Sequence, residues 1–197
     1  MRPIRVIVRG ASGKMGQEVI KAVGREPGTQ LVGAVELQAV QDYLTLPDGS
    51  SKVPFSDNLE NIISGCQPEV LVDFTIAQAT MSALPIAATQ GVNLVIGTTG
   101  LTADDINEID RLAIAHKVGI VVAPNFALGA VLMIHLTKIA AKYLDYAEII
   151  ELHHHQKADA PSGTALNTAR AMAAARGKPF LRPLEQEKSL DSRGGAS

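Results

Sequence analysis

The chain has 197 residues, of which 46% are hydrophobic and 19% charged, a composition typical of a globular protein with room for one full domain and part of a second. A single cysteine excludes an internal disulfide framework and predicts a reducing, cytoplasmic location. The net charge of −2, with no basic run, excludes the charge pattern of nucleic-acid binding, and no membrane-spanning segment is predicted.

The first predicted element is a strand over residues 4–8, which leads directly into the glycine-rich segment GASGKMG. A helical pattern of apolar residues follows from Met15. A strand, a glycine turn and a helix are the context of a dinucleotide-binding loop, because glycine lets the backbone approach the pyrophosphate at the helix start. The residues predicted to bind the cofactor in this loop are Gly10, Ala11, Ser12, Gly13, Lys14, Met15 and Gly16.

A second strand is predicted over residues 30–35, and Glu36 follows it about twenty positions after the glycine loop. An acidic residue at this spacing accepts hydrogen bonds from the ribose hydroxyls of an adenine dinucleotide. The next tract, residues 38–54, is polar and carries Pro47, Asp48 and Gly49, so we predict that it is a loop.

Helical and β-rich runs then alternate, with predicted strands at residues 69–74, 92–96 and 119–122. Five such runs in all predict an α/β fold, a Rossmann-type doubly wound parallel sheet. Because ligands of such sheets bind at the carboxyl ends of the strands, the loops GTTG and APNF are candidate cofactor contacts. Their predicted cofactor-binding residues are Gly97, Thr98, Thr99, Ala123, Pro124, Asn125 and Phe126.

A helix over residues 126–143 and a strand over residues 146–153 are predicted to begin a second unit. The predicted domains are therefore a dinucleotide-binding Rossmann domain at 1–127 and a partial α+β substrate domain at 128–197. Within the second domain, the segment ELHHHQKADAPSGTA at residues 151–165 combines three histidines, a lysine and a helix start. Free amides at a helix N-terminus attract carboxylate or phosphate, so this segment predicts a site that holds a small polyanion and supplies a proton.

Two structural alternatives apply to this segment. Adjacent histidines occur in metal sites, but neither a cysteine nor a carboxylate is placed to complete a ligand set, so no metal is predicted. The histidines could also lie on a solvated strand end without a function.

Taken together, the glycine loop, Glu36, GTTG, APNF and residues 151–165 resemble the family of dihydrodipicolinate reductases, from about residue 6 to residue 195. The resemblance implies an oxidoreductase of diaminopimelate and lysine biosynthesis that uses NADPH or NADH to reduce 4-hydroxy-tetrahydrodipicolinate (dihydrodipicolinate) to tetrahydrodipicolinate. It implies that His153 and Lys157 are catalytic. It also implies that His154, Lys157, Gly163 and Thr164 bind the small dicarboxylate substrate.

The chain departs from the family pattern in two places. Leu37 stands where members of the family commonly carry an arginine that pairs with the 2′-phosphate of NADPH, so the choice between NADH and NADPH stays open. After the arginine-glycine segment near residue 195, the family continues with further strands and a helix, so the second domain is expected to be incomplete. A homotetramer is expected for the full-length family.

Two other functions are compatible with the sequence. One is another Rossmann amino-acid dehydrogenase, of the aspartate or homoserine type, although residues 151–165 argue against it. The other is a dinucleotide-binding module without catalytic activity.

Overall fold

The first compact unit of the chain, Met1–Phe126, is built on a single sheet in a computed structural model that describes residues 2–49, 51–123, 125–153 and 161–181. The strands of this sheet are β1 (Ile4–Arg9), β2 (Thr29–Val35), β3 (Tyr43–Thr45), β4 (Lys52–Ser56), β5 (Val70–Asp73), β6 (Asn93–Ile96) and β7 (Ile120–Val122). Their order is β3-β4-β2-β1-β5-β6-β7, and every pairing is parallel except that of β3 with β4. This arrangement confirms the predicted Rossmann-type sheet. The strand order reverses between β1 and β5, which is where such sheets bind their ligands.

Four helices flank the sheet: α1 (Lys14–Arg25), α2 (Leu59–Cys66), α3 (Ala77–Thr89) and α4 (Ala103–His116). Alternating side chains of β1 face opposite layers, since Val6 and Val8 pack with Ile20 of α1, whereas Ile7 packs with residues of α2, α3 and α4. Helix α4 begins at the N-cap Thr102, whose side chain accepts a hydrogen bond from the amide of Asp105.

The prediction of a loop over residues 38–54 is wrong, because β3 and β4 form an antiparallel hairpin there. Its turn includes Gly49, whose φ of +71° suits glycine. Val53 is buried, and Leu44 and Phe55 pack against the same cluster as α1. The hairpin thus adds two strands to the five predicted. Leu44 and Val53 lie within the polar tract and Phe55 lies just after it, and all three pack into the core next to β2.

The second compact unit, Ala127–Ser197, contains the helices α5 (Leu128–Ala141) and α6 (Gly163–Arg176), which pack against each other. The predicted strand over residues 146–153 is wrong, since this segment has no strand partner among the described residues of the unit. The helix start predicted within residues 151–165 is confirmed, because Ser162 is the N-cap of α6. Gly177 ends this helix with a φ of +71°. Among the described residues, no helix is both long and apolar enough to cross a membrane.

Candidate functional site

The glycine loop after β1 folds tightly over the start of α1. Gly10 has a φ of +74°, and its amide donates to the carbonyl of Val35 at the end of β2 (3.0 Å). The amide of Gly13 donates back to the carbonyl of Gly10 (3.1 Å). A Cβ atom at Gly16 would lie 2.0 Å from that same carbonyl oxygen, so only glycine fits there. These contacts bring the loop backbone close to the first turn of α1.

The start of α1 has the features of an anion-binding site. Its N-cap, Gly13, provides no side-chain cap, so the positive end of the helix dipole is not neutralised by a cap. Ser12, Lys14 and Met15 are exposed around it, whereas Ala11 is buried beneath the loop. The residues present therefore fit the pyrophosphate of a dinucleotide.

The carboxylate of Glu36 lies beside this loop. Its Oε2 atom accepts a hydrogen bond from the amide of Ser12 (3.0 Å), and its Oε1 atom accepts from the amide of Leu37 (3.0 Å). A carboxylate oxygen has room for a second donor, so both oxygens can still accept from ribose hydroxyls. The side chain is thus fixed in place by the backbone on both sides.

A second group of predicted residues lies at the carboxyl ends of β6 and β7. The amide of Gly97 donates to the carbonyl of Asp73 (2.9 Å), and a Cβ atom at Gly97 would lie 2.1 Å from the ring of Phe74. Thr99 is exposed. Thr98 is buried, and its hydroxyl bonds to the hydroxyl of Thr80 (2.8 Å), so the Thr98 side chain points into the protein.

The loop after β7 continues this edge of the sheet. The amide of Ala123 donates to the carbonyl of Ile96 (3.1 Å), and Asn125 and Phe126 follow, whereas Pro124 lies outside the described residues. The ring of Phe126 packs against that of Phe74 with centroids 5.3 Å apart. The loop after β7 is therefore joined to the end of β6 by a backbone hydrogen bond and to the turn after β5 by an aromatic contact.

Polar residues that the sequence analysis did not select lie beneath these loops. The guanidinium of Arg9 donates to the carboxylate of Asp73 (3.1 Å), and the hydroxyl of Thr75 donates to the other oxygen of that carboxylate (2.6 Å). The hydroxyl of Thr80 lies 3.4 Å from the hydroxyl of Thr75 and 2.8 Å from that of Thr98. The sequence signal for this pair was a charged residue at the end of each of two apolar runs, since Arg9 is the last residue of β1 and Asp73 is the last residue of β5. Adjacent parallel strands end side by side, so such residues meet.

In the second unit, Ser162 links His153 to the start of α6 through Glu151. The hydroxyl of Ser162 accepts from the amide of Ala165 (3.1 Å), while the amide of Ser162 donates to Oε1 of Glu151 (2.8 Å). The other oxygen of Glu151 lies 3.9 Å from Nδ1 of His153. Glu151 was not among the predicted site residues, and its carboxylate lies next to the imidazole of His153.

An open cavity of about 280 Å³ lies beside His153 and the first turn of α6. Thr164 contributes to its lining, and Gly163 is exposed next to it. The other two predicted substrate residues, His154 and Lys157, lie outside the described residues. The described part of this site thus combines an imidazole with a helix N-terminus, a suitable pair for a proton donor and a bound anion.

Comparison with known proteins identifies both units. The family model for the N-terminus of dihydrodipicolinate reductase matches residues 4–126, and the model for its C-terminus matches residues 129–195. The chain belongs to the dihydrodipicolinate reductase family. The predicted family is therefore confirmed over both units.

Individual members of the family are similar along nearly the whole chain. The 4-hydroxy-tetrahydrodipicolinate reductase of Dehalococcoides mccartyi is 53% identical over 194 residues, which cover 98% of this chain and 73% of that relative. The solved structure of dipicolinate-bound dihydrodipicolinate reductase from Paenisporosarcina sp. TG-14 superposes with a TM-score of 0.81 at 38% identity, and the match covers 99% of this chain and 75% of that one.

A homoserine dehydrogenase of S. aureus shares only the fold. Its TM-score is 0.52 at 12% identity, and the match covers 62% of this chain and 33% of that chain. The two proteins therefore share the Rossmann architecture, and this likeness does not indicate a shared substrate.

Proposed function

We propose that this member of the dihydrodipicolinate reductase family reduces 4-hydroxy-tetrahydrodipicolinate to tetrahydrodipicolinate in diaminopimelate and lysine biosynthesis. The observation that carries the proposal is the match of both family models together with 53% identity to a reductase of that name. In the net reaction the substrate loses its 4-hydroxyl group as water, and one hydride and one proton are added. The dihydronicotinamide cofactor is oxidised to the nicotinamide form.

The first unit holds the cofactor in this proposal. The nicotinamide cofactor supplies the hydride when it is bound. The glycine loop and the uncapped start of α1 bind its pyrophosphate, and Glu36 binds the adenosine ribose. Residues 97–99, together with Ala123, Pro124, Asn125 and Phe126, contact the rest of the cofactor, and the exposed Thr99 offers a hydroxyl there.

We further propose that NADH binds more tightly than NADPH. The carboxylate of Glu36 is fixed beside the ribose position, where its negative charge repels a 2′-phosphate. The next residue, Leu37, is 85% exposed and provides no cation. Lys14 is the remaining candidate partner for a phosphate, and it lies at the start of α1.

The second unit supplies the proton and binds the substrate carboxylates. Glu151 accepts at one oxygen from the amide of Ser162, and its other oxygen lies 3.9 Å from Nδ1 of His153. We therefore assign the proton transfer to Nε2, the ring nitrogen farther from Glu151. A protonated His153 then donates from Nε2 to the substrate nitrogen as the hydride adds to the ring. The amides of Gly163 and Thr164 at the start of α6 bind a carboxylate. The family resemblance implies that His154 and Lys157 also bind the substrate, and that Lys157 assists the proton transfer.

The deciding experiment measures oxidation of NADH and of NADPH by the whole chain, with and without freshly prepared 4-hydroxy-tetrahydrodipicolinate. We expect oxidation that requires the substrate. Cofactor binding without substrate-dependent oxidation would favour a binding module instead. Turnover of homoserine or aspartate semialdehyde but not of the dipicolinate precursor would favour an amino-acid dehydrogenase.

The homotetramer expected from the family stays a prediction for this chain. Analytical ultracentrifugation tests it directly, and a monomer at working concentrations would contradict it.

A further inference from the structure

The polar residues beneath the cofactor loops form one continuous hydrogen-bonded chain, which we call the polar chain. Its members are Arg9, Asp73, Thr75, Thr80 and Thr98. Successive donor–acceptor distances between the side chains are 3.1, 2.6, 3.4 and 2.8 Å, from the Arg9 guanidinium through the Asp73 carboxylate to the Thr98 hydroxyl. The polar chain therefore connects the carboxyl ends of β1, β5 and β6.

The direction of the hydrogen bonds follows from their chemistry. A carboxylate beside a guanidinium only accepts, so the hydroxyl of Thr75 donates to Asp73. Thr75 then has only lone pairs left, so the hydroxyl of Thr80 donates to it, and that of Thr98 donates to Thr80. Every proton thus points toward Asp73. The hydroxyl proton of Thr98 is used inside the protein and is not available to a ligand.

Burial of polar groups costs free energy, which their hydrogen bonds offset. Asp73 and Thr80 are each 0% exposed and Thr98 is 4% exposed. Apolar residues of similar volume are often at least as stabilising as a buried ion pair, whereas a satisfied polar network fixes one arrangement of its members. Asp73 also accepts at the same carboxylate from the amide of Thr75 (2.9 Å), and its carbonyl accepts from the amide of Gly97. It therefore anchors both the turn after β5 and the loop after β6.

The two ends of the polar chain lie next to the two loops that the proposed function assigns to the cofactor. Arg9 immediately precedes Gly10, the first residue of the glycine loop, and Thr98 belongs to the loop at residues 97–100. A dinucleotide is an extended ligand, so the spacing between these loops sets where its reactive ring lies relative to its pyrophosphate. Small errors in such a spacing reduce turnover strongly.

We propose that Arg9, Asp73 and Thr80 are positioning residues, which hold the loop at 97–100 at a fixed distance from the glycine loop. They act through Thr98 and Gly10 and do not contact the cofactor themselves. This inference rests on the proposed function, because it assigns the loop at 97–100 to the cofactor. It predicts that loss of the polar chain loosens that loop and lowers kcat more than it weakens cofactor binding.

The test is Thr80→Val in the whole chain, which removes the central hydroxyl and keeps the shape of the side chain. Amide hydrogen exchange of residues 97–100, measured without cofactor or substrate, should speed up about fivefold to tenfold, the scale of one lost hydrogen bond. In turnover assays kcat should fall about tenfold, while the dissociation constant of NADH changes by less than about threefold.

Thr29→Val is the matched control, because the hydroxyl of Thr29 donates to the carbonyls of Val23 and Glu26, and Thr29 pairs with Ile4 at the opposite end of the sheet. It should leave both kcat and exchange at residues 97–100 unchanged. If Thr80→Val does not fold, Arg9→Gln breaks the polar chain at its other end and is judged by the same measurements. A folded variant with parental exchange at residues 97–100, or with parental kcat, overturns the proposal. A parent protein that oxidises no cofactor in the presence of substrate refutes the proposed function instead, and unchanged exchange refutes the positioning role alone.

Discussion

The carboxylate of Glu36 accepts a hydrogen bond from the backbone amide of Ser12 over 3.0 Å, which ties the end of β2 to the glycine loop. Replacing Glu36 by alanine removes both this tie and the acceptor for the ribose hydroxyls. Hydrogen bonds to a charged group contribute about 1.5–3 kcal/mol, so the dissociation constant of NADH should rise about tenfold or more. Fluorescence titration of the whole chain measures it.

The control for that variant is Glu26→Ala. Glu26 also accepts from a backbone amide, that of Gly28 (3.2 Å), but beyond the other end of α1. The Glu26→Ala variant should bind NADH as tightly as the parent does. Equal titration curves for the parent and Glu36→Ala would contradict the assignment of the ribose site.

Leu37→Arg should change the choice of cofactor. Leu37 is 85% exposed, so an arginine is accommodated without loss of packing and places a guanidinium beside the 2′ position. An arginine pairs with phosphate through two parallel hydrogen bonds, and the ratio of NADPH to NADH affinity should rise about tenfold. Val40→Arg adds the same charge at an 87% exposed position three residues later. The same change in ratio in both variants would show a net-charge effect and count against a 2′-phosphate position beside residue 37.

His153→Gln should lower kcat by about 10²-fold or more, the usual contribution of a general acid, with a smaller effect on the KM of the substrate. The matched control is His135→Gln, an exposed histidine on α5, which should keep parental kinetics. Steady-state rates at saturating cofactor decide the matter. A His153→Gln enzyme with near-parental kcat would remove the assignment, and Lys157→Ala tests the second predicted catalytic residue in the same way.

The glycine loop and the helix caps could be predicted because their signals are local, and Glu36 could be predicted from its spacing after the glycine loop. Gly16 is required by its contact with the carbonyl of Gly10, six residues earlier, and Gly10 is favoured by its own positive φ. Thr102 and Ser162 cap helices through residues three positions away. Such interactions depend on short spacings that the sequence displays directly.

The hairpin of β3 and β4 and the polar chain were missed because they depend on partners far along the sequence. Val53 becomes a core residue only beside β2, and Arg9 meets Asp73 only because β1 and β5 are neighbours. The strand predicted at residues 146–153 failed for the reverse reason. Its apolar alternation satisfies the strand pattern, but a strand also needs a partner to pair with.

Arg176→Met should destabilise the second unit. The side chain is 2% exposed, and its guanidinium donates to the carbonyls of Ala141 (3.2 Å) and Leu144 and to the carboxylate of Asp145 (2.7 Å), so it ties the end of α6 to the end of α5. Loss of these hydrogen bonds should cost about 2 kcal/mol. Hydrogen exchange of the α6 amides should accelerate accordingly. The control is Arg170→Met, which replaces an exposed arginine on the same helix. The α6 amides of this variant should exchange at the parental rate, and equal exchange rates in the two variants would contradict the role of Arg176.

The capping box of α4 should make the stability of the first unit depend on pH in the acid range. The backbone amide and the hydroxyl of Thr102 both donate to Asp105 (2.8 Å each), and these hydrogen bonds hold the pKa of the Asp105 carboxyl below its usual value. A lowered pKa in the folded state means that the stabilisation is fully present above the unfolded-state pKa of about 3.9 and is lost as the pH falls through the folded value. Asp105→Asn should therefore lower Tm relative to the parent at about pH 6, and the two Tm values should converge as the pH falls through the folded-state pKa. The control is Asp104→Asn, in the same first turn but outside the capping box. If the Tm difference between Asp105→Asn and the parent persists unchanged in acid, the carboxylate charge is not its cause.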